Sequence, residues 1–280
     1  MDDKTTVRQA IEFGMTQLEG HSESAKQDVE VLLCEVLNCT RTRLFTADKD
    51  VLSATEITTF SDFISQRQTG KPVSYIIGHQ DFWSLSLEVN DSTLIPRPET
   101  EILVEQVLTL ECSGEVKFLD LGTGTGAIAL AIAKERPNWQ ITGCDRIPDA
   151  IKLAQKNQHK NKLDNARFVV SNWFEGFENE HFDIIASNPP YVESDSEYLK
   201  MGDLRFEPLS ALTSGEDGLQ DIRLIISQSL NYLKPDGWLL FEHGFEQGEA
   251  VRHLLQQSNF KSIRTIKDYA GLNRITLGQN

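Results

Sequence analysis

The chain has 280 residues, 39% of them hydrophobic and 25% charged, with a formal net charge of −15 at pH 7. That length allows one large or two modest domains, and the composition is that of a soluble globular protein. So acidic a chain is repelled by polyanions, which argues against a nucleic-acid binder that works by displacing counterions from phosphates, and fits a small-molecule or protein substrate.

The first seventy or so residues read as helices. Val7, Ala10, Ile11, Met15 and Leu18 share one helical face, and Val29, Leu32, Leu33, Val36 and Leu37 form a second stripe. SATE (53–56) is a capping-box pattern ahead of Ile57, Phe60 and Ile64, and TGKP (69–72) stops that helix. In WSLSLEV, Leu85, Leu87 and Val89 alternate with polar residues, the period of a half-buried strand, so a hairpin is expected to link the helices to the remainder of the chain. PRPE (96–99) then precedes a helix from about Thr100. From Val116 strands and helices alternate: VKFLDLG, WQITGCD, ARFVVSN, FDIIASNPP and GWLLFEHG are strands, and SIRTIKD and NRITLGQ close the chain as a pair. That alternation predicts a mostly parallel sheet covered on both faces.

No apolar run approaches the roughly 20 residues of a membrane helix, and the start, MDDKTTVRQA, lacks the apolar core of a secretory signal. Cytoplasmic placement without a membrane partner is expected. Cys34, Cys39, Cys112 and Cys144 form no C-x-x-C pair and read as free thiols, with no metal site.

DLGTGTGA (120–127) follows a strand and opens a helix. Gly122, Gly124 and Gly126, with Thr123 and Thr125 between them, let the backbone turn tightly and approach a ligand closely. Asp145 ends the next strand, about 20 residues on, where an acid can bind ribose hydroxyls. These features predict nucleotide binding. Gly122, Gly124 and Ala127 also satisfy the dinucleotide fingerprint, so the loop alone leaves NAD open, whereas G-x-G-x-G after an acid resembles the loop of S-adenosylmethionine enzymes.

NPPY (188–191) decides the matter. Two residues in a row precede proline, which stiffens the backbone just past a strand's carboxyl end. A rigid tip thus presents the Asn188 amide, the Pro189 carbonyl, Pro190 and the Tyr191 ring. Two carbonyl oxygens can each accept one N–H of a planar –NH2 group while the ring stacks on it, which holds the nitrogen toward a methyl donor.

With these residues in view, the sequence resembles the bacterial release-factor glutamine methyltransferases (HemK/PrmC type). LIPRPETE, LDLGTGTGAIALAIA, DIIASNPPY, RFEPLSAL and EHGFEQGEAVR carry the resemblance, which covers nearly the whole chain. It implies an α/β protein with a Rossmann-like methyltransferase domain (99–280) built on a mostly parallel seven-stranded sheet. Ahead of it lie a helical substrate-docking domain (1–75) and a hairpin linker (76–98). The implied reaction moves a methyl group from S-adenosylmethionine to the amide nitrogen of the glutamine in the Gly-Gly-Gln motif of class I peptide chain release factors, in support of translation termination. By position, Gly122 to Gly126 hold the methionine part of the cofactor, Asp145 the ribose and Trp173 the adenine, with Asn188 beside them. Asn188, Pro189 and Tyr191 are the catalytic set, and with Pro190 they hold the glutamine. The family pattern carries aspartate just before that tryptophan, where this chain has Asn172. Arg97 and Glu99 either border the substrate entrance or clamp a junction. Glu207 lies in a long segment that can cover the site, and His243 fits a packing role better than that of a base. An adenine amino-group methyltransferase acting on DNA or RNA uses the same NPPY grip. The charge of −15 counts against it, and no direct nucleic-acid contact is expected.

Overall fold

A computed structural model describes residues 1, 4–112 and 114–280. The chain divides into two compact units, one of residues 1–79 with 200–206, the other of residues 80–199 with 207–280.

The first unit packs α1 (Val7–Leu18), α2 (Ala25–Val36), α3 (Arg41–Thr46), α4 (Ala54–Gln68) and α5 (Val73–Ile77) around Leu18, Leu32, Leu33, Phe60 and Ile64. Capping boxes start α1 at Thr6 with Gln9 and α4 at Ser53 with Glu56, each satisfying amides that a helix end leaves unpaired. The stripe expected on α1 is corrected at one position. Met15 is exposed, and Gly14 faces inward instead, because a Cβ there would stand 2.9 Å from Val29 and 3.1 Å from Phe60. Arg67 is buried with Asp28 (Nε to Oδ2 2.7 Å), whose oxygens also accept from Ser22 and Ser24. The same guanidinium reaches Asp203 Oδ1 at 3.0 Å, and Arg205 donates to the Thr69 carbonyl, so residues 200–206 are fastened into this unit.

The second unit begins within β1 (His79–Phe82), which forms a two-stranded ribbon with β2 (Leu85–Glu88), and α6 (Glu101–Thr109) follows. Then come β3 (Lys117–Leu121), α7 (Ala127–Glu135), β4 (Gln140–Asp145), α8 (Pro148–Asn161), β5 (Ala166–Val170), β6 (Phe182–Ser187), α9 (Gln220–Ser229), β7 (Leu233–Glu242), α10 (Gly248–Gln257), β8 (Lys261–Lys267) and β9 (Asn273–Gln279). The seven-stranded sheet has the order β5-β4-β3-β6-β7-β9-β8, with β9 antiparallel to both neighbours and the other pairings parallel. Adjacent residues of each central strand go to opposite cores. Phe118 and Ile184 pack with α6 and α7, while Leu119 and Ile185 pack with α9. Burial on both faces explains why these strands read as continuous apolar runs. None of the helices among the described residues is long and apolar enough to cross a membrane.

The strand order reverses at β3. Its two neighbours are β4, which comes next in the chain, and β6, which comes after the chain has passed through β5. Open α/β sheets hold ligands at such a switch point, outside the carboxyl ends of the strands. Under that crevice Gly143 lets β4 pass the Phe168 ring, since an added Cβ would stand 2.6 Å from the ring and 2.7 Å from Thr123 Oγ1. Gly143→Ala is therefore expected to destabilise the fold by about 1–3 kcal/mol, the usual effect of overpacking, as measured by urea unfolding.

Candidate functional site

Strand register brings the chemistry to one level. Leu121 pairs with Cys144 on one side and with Ser187 on the other, and Ser187 pairs with Phe241. Gly122, Asp145, Asn188 and Glu242 are thus each the next residue beyond a matched strand position. Gly122, Asp145 and Asn188 border a pocket with about 930 Å³ of empty space, part of it continuous with solvent.

The glycine loop is tied down from below. Thr123 Oγ1 donates to Asp120 Oδ2 at 2.6 Å, and the Ala129 amide donates to the same oxygen. Asp120 is buried, and burial pushes its pKa up to about 7 against the pull of those two donors. Gly122, Gly124 and Gly126 have φ of +71°, +53° and +84°, a region where side chains are strained. Asp145 closes the loop on its far side: Oδ2 accepts from the Gly124 amide at 3.1 Å and Oδ1 from the Ile147 amide at 2.9 Å. Burial raises its pKa, and the two amides oppose the rise. The Trp173 ring lies against Gly122, where an added Cβ would stand 3.4 Å from it. Asn172 donates its Nδ2 to Glu175 at 2.9 Å, which leaves its carbonyl oxygen available to a donor in the pocket.

At the tip of β6, Asn188 Nδ2 donates to Thr100 Oγ1 at 3.2 Å, while Oδ1 is buried and has no hydrogen-bond partner among the described residues. A buried acceptor left unmade is unfavourable, so an orphan here points to a donor that arrives with a ligand. Tyr191 donates its hydroxyl to Glu242 Oε1 at 3.3 Å, and its backbone carbonyl accepts from Gln247 at 3.0 Å. Glu242 is buried. Burial lifts its pKa to about 7, although Thr100, Arg274 and Tyr191 pull it down.

Of the residues expected from the sequence, Arg97, Gly122, Thr123, Gly124, Thr125, Asp145, Asn172, Trp173, Asn188 and Pro190 line this one pocket. Gly126 caps α7 behind it, Pro189 is buried, and Tyr191 is half-buried with its hydroxyl turned to Glu242. Arg97 is paired with Glu207 (Nη2 to Oε2 2.6 Å), whose other oxygen accepts from the Ile95 amide. PRPE and RFEP are thereby joined, and Glu207 acts as a clamp. Glu99 is exposed. His243 is buried with its Nδ1 on the Gly244 carbonyl and its Nε2 on Thr276 Oγ1, each at 2.8 Å, and burial lowers its pKa. A neutral ring with both nitrogens engaged is a packing element.

Sequence reasoning missed Thr100, Arg274 and Gly218. Thr100 lies inside the PRPET stretch, but nothing local says that it meets Asn188. Gly218, at φ +69°, passes so close to NPPY that a Cβ would stand 2.2 Å from the Tyr191 carbonyl oxygen.

Residues 113–271 match the family described as "Methyltransferase domain", and residues 9–78 match the "PrmC N-terminal domain". The release factor glutamine methyltransferase of Shewanella oneidensis is 44% identical over 279 residues, covering 100% of this chain and 98% of that one. Its namesake in Escherichia coli K12 is 42% identical over 279 residues, covering 100% and 99%. The Pseudomonas aeruginosa namesake is 47% identical over 258 residues, covering 92% and 94%. Among solved structures, the hMettl16 catalytic domain in complex with MAT2A 3'UTR hairpin 6 superposes with a TM-score of 0.59 at 16% identity, covering 80% of this chain and 81% of that one. A methyltransferase from Pyrococcus furiosus does so with a TM-score of 0.53 at 19% identity, covering 70% and 89%. Identities so low speak to fold alone, whereas the full-length relatives speak to family. The chain belongs to the release factor glutamine methyltransferase family, and its methyl donor is S-adenosylmethionine.

Proposed function

We propose that this enzyme methylates the side-chain amide of the glutamine in the Gly-Gly-Gln motif of class I peptide chain release factors, and that it does so in the cytoplasm in support of translation termination. The observation that carries the reading is the orphaned Asn188 Oδ1, buried at the tip of β6 and level with the glycine loop. An acceptor fixed there suits an incoming –NH2 group. Among the described residues nothing donates to the Pro189 carbonyl either, which leaves it to take the second N–H.

The residues present fit the cofactor. Gly122 and Gly124 leave a cradle free of side chains, Asp145 keeps lone pairs for a diol, and Trp173 offers a ring edge beside Gly122. When bound, S-adenosylmethionine supplies an electrophilic methyl group on a sulfonium leaving group. The protein's part is orientation. An amide nitrogen is a weak nucleophile because its lone pair is delocalised. With both N–H bonds held in plane by Asn188 and Pro189, and Tyr191 against the flat face, the lone pair is directed at the methyl carbon. The nitrogen gains the methyl group and gives one proton to solvent. The helical unit (1–79 with 200–206) is assigned to docking of the protein substrate.

The test is transfer of labelled methyl from S-adenosylmethionine to a purified release factor, its Gly-Gly-Ala variant and duplex DNA, side by side. Label on the glutamine form alone is the expected result. Label on DNA alone overturns the assignment in favour of an adenine acceptor.

A further inference from the structure

The grip depends on which way round the Asn188 amide sits. Its two ends have nearly the same shape, and only hydrogen bonding distinguishes them. With Nδ2 toward the pocket, two sets of N–H donors would face each other and the acceptor would be repelled. Thr100 Oγ1 lies 3.2 Å from Asn188 Nδ2, and the same hydroxyl helps to hold down the pKa of Glu242, whose Oε2 is buried with no hydrogen-bond partner among the described residues and so is free to take its proton. A threonine hydroxyl has one proton and two lone pairs, so the destination of its proton decides what it offers on the other side. An ionised carboxylate only accepts. Glu242 also accepts the Tyr191 hydroxyl at 3.3 Å, so one buried group meets Tyr191 directly and is linked to Asn188 by way of Thr100.

We propose that Thr100 and Glu242 are positioning residues for methyl transfer. Glu242 draws the Thr100 proton to itself, Thr100 then presents only lone pairs to Asn188, and the Asn188 carbonyl oxygen is left facing the acceptor amide. This rests on the reading of Asn188 as the amide grip.

The groups facing Glu242 come from every neighbouring element. Arg274 on β9 and the Thr100 and Tyr191 hydroxyls favour its anion, and Glu99 opposes it. His243, the next residue, is kept neutral by burial. Burial outweighs the favourable partners, so the carboxyl titrates near 7 rather than at its ordinary 4.5. As pH falls through about 7 the carboxylate gains a proton, the Thr100 proton is released toward Asn188, and the flipped amide competes. Wild-type kcat is therefore expected to fall on the acid side of neutrality.

The experiment measures kcat, KM and cofactor Kd for Thr100→Val, Thr100→Ser, Glu242→Gln and Asn188→Ala, using S-adenosylmethionine and a purified release factor across neutral pH. Thr100→Val keeps the shape without lone pairs and should lower kcat about 10–100-fold, the scale of a misplaced reacting group, with Kd unchanged. Thr100→Ser should restore most of it. Glu242→Gln should lower kcat and lose the acid limb. It should also melt no lower than wild type above pH 7. Stability from the protonated Glu242 is present below about 4.5 and lost as pH rises through about 7, and glutamine has no charge to bury. Wild-type kcat in Thr100→Val beside an inactive Asn188→Ala overturns the proposal and leaves the grip standing. An acid limb retained by Glu242→Gln, or loss of Kd and melting temperature in step with kcat, also overturns it. Full activity of Asn188→Ala removes the grip itself.

Discussion

Asn188→Ala is expected to lower the rate of methyl transfer about 100- to 1000-fold, the scale set by deleting one preorganised hydrogen-bonding group aimed at a reacting centre. The alanine removes the Oδ1 acceptor and the contact with Thr100 together. It should leave the cofactor bound, because the loop and Asp145 are fixed by their own hydrogen bonds to Asp120, Gly124 and Ile147. The two quantities are separable: calorimetry reads S-adenosylmethionine affinity, and single-turnover transfer of labelled methyl reads the chemical step. A near-normal rate would show that the acceptor amide is oriented by something else. Loss of affinity in proportion to rate would show that Asn188 serves the cofactor more than the glutamine.

Asp145→Ala should act the other way round, raising cofactor Kd about 10- to 100-fold, because hydrogen bonds to a charged group contribute about 1.5–3 kcal/mol. The loss has two sources. The diol loses its acceptor, and the Gly124 and Ile147 amides lose the carboxylate that sets the loop. Asp145→Asn separates them, since one amide oxygen can still accept from either backbone group. An Asn variant intermediate between alanine and wild type in calorimetry is the expected order. Equal affinity of all three would remove Asp145 from the cofactor's binding set.

The parallel sheet was legible because its strands are buried on both faces and are written as apolar runs separated by helical ones. The site was legible where a motif is contiguous. DLGTGTG and NPPY each carry their own geometry, through positive-φ glycines in the first and consecutive prolines in the second. The rest depends on distance along the chain. Thr100 and Asn188 are 88 residues apart, Arg97 and Glu207 are 110 apart, and Tyr191 and Glu242 are 51 apart. Such pairs exist only once strand register and loop paths are fixed, and no local period encodes them. Met15 failed for a different reason: helical spacing marks a face but does not say that Val29 and Phe60 press on it closely enough to demand Gly14.

The helical unit is written in two pieces of sequence, 1–79 and 200–206. A simple cut after residue 79 is therefore not a modular dissection. It strands a loop whose Asp203 has lost the Arg67 guanidinium and whose Arg205 has lost the Thr69 carbonyl. The same holds for chimaeras that graft this unit from one relative onto the catalytic unit of another. The two stretches must travel together, with Arg67 matched to its aspartate. A truncation meant to test docking needs a short glycine-serine bridge in place of 200–206 before any change in kinetics can be credited to the missing helices.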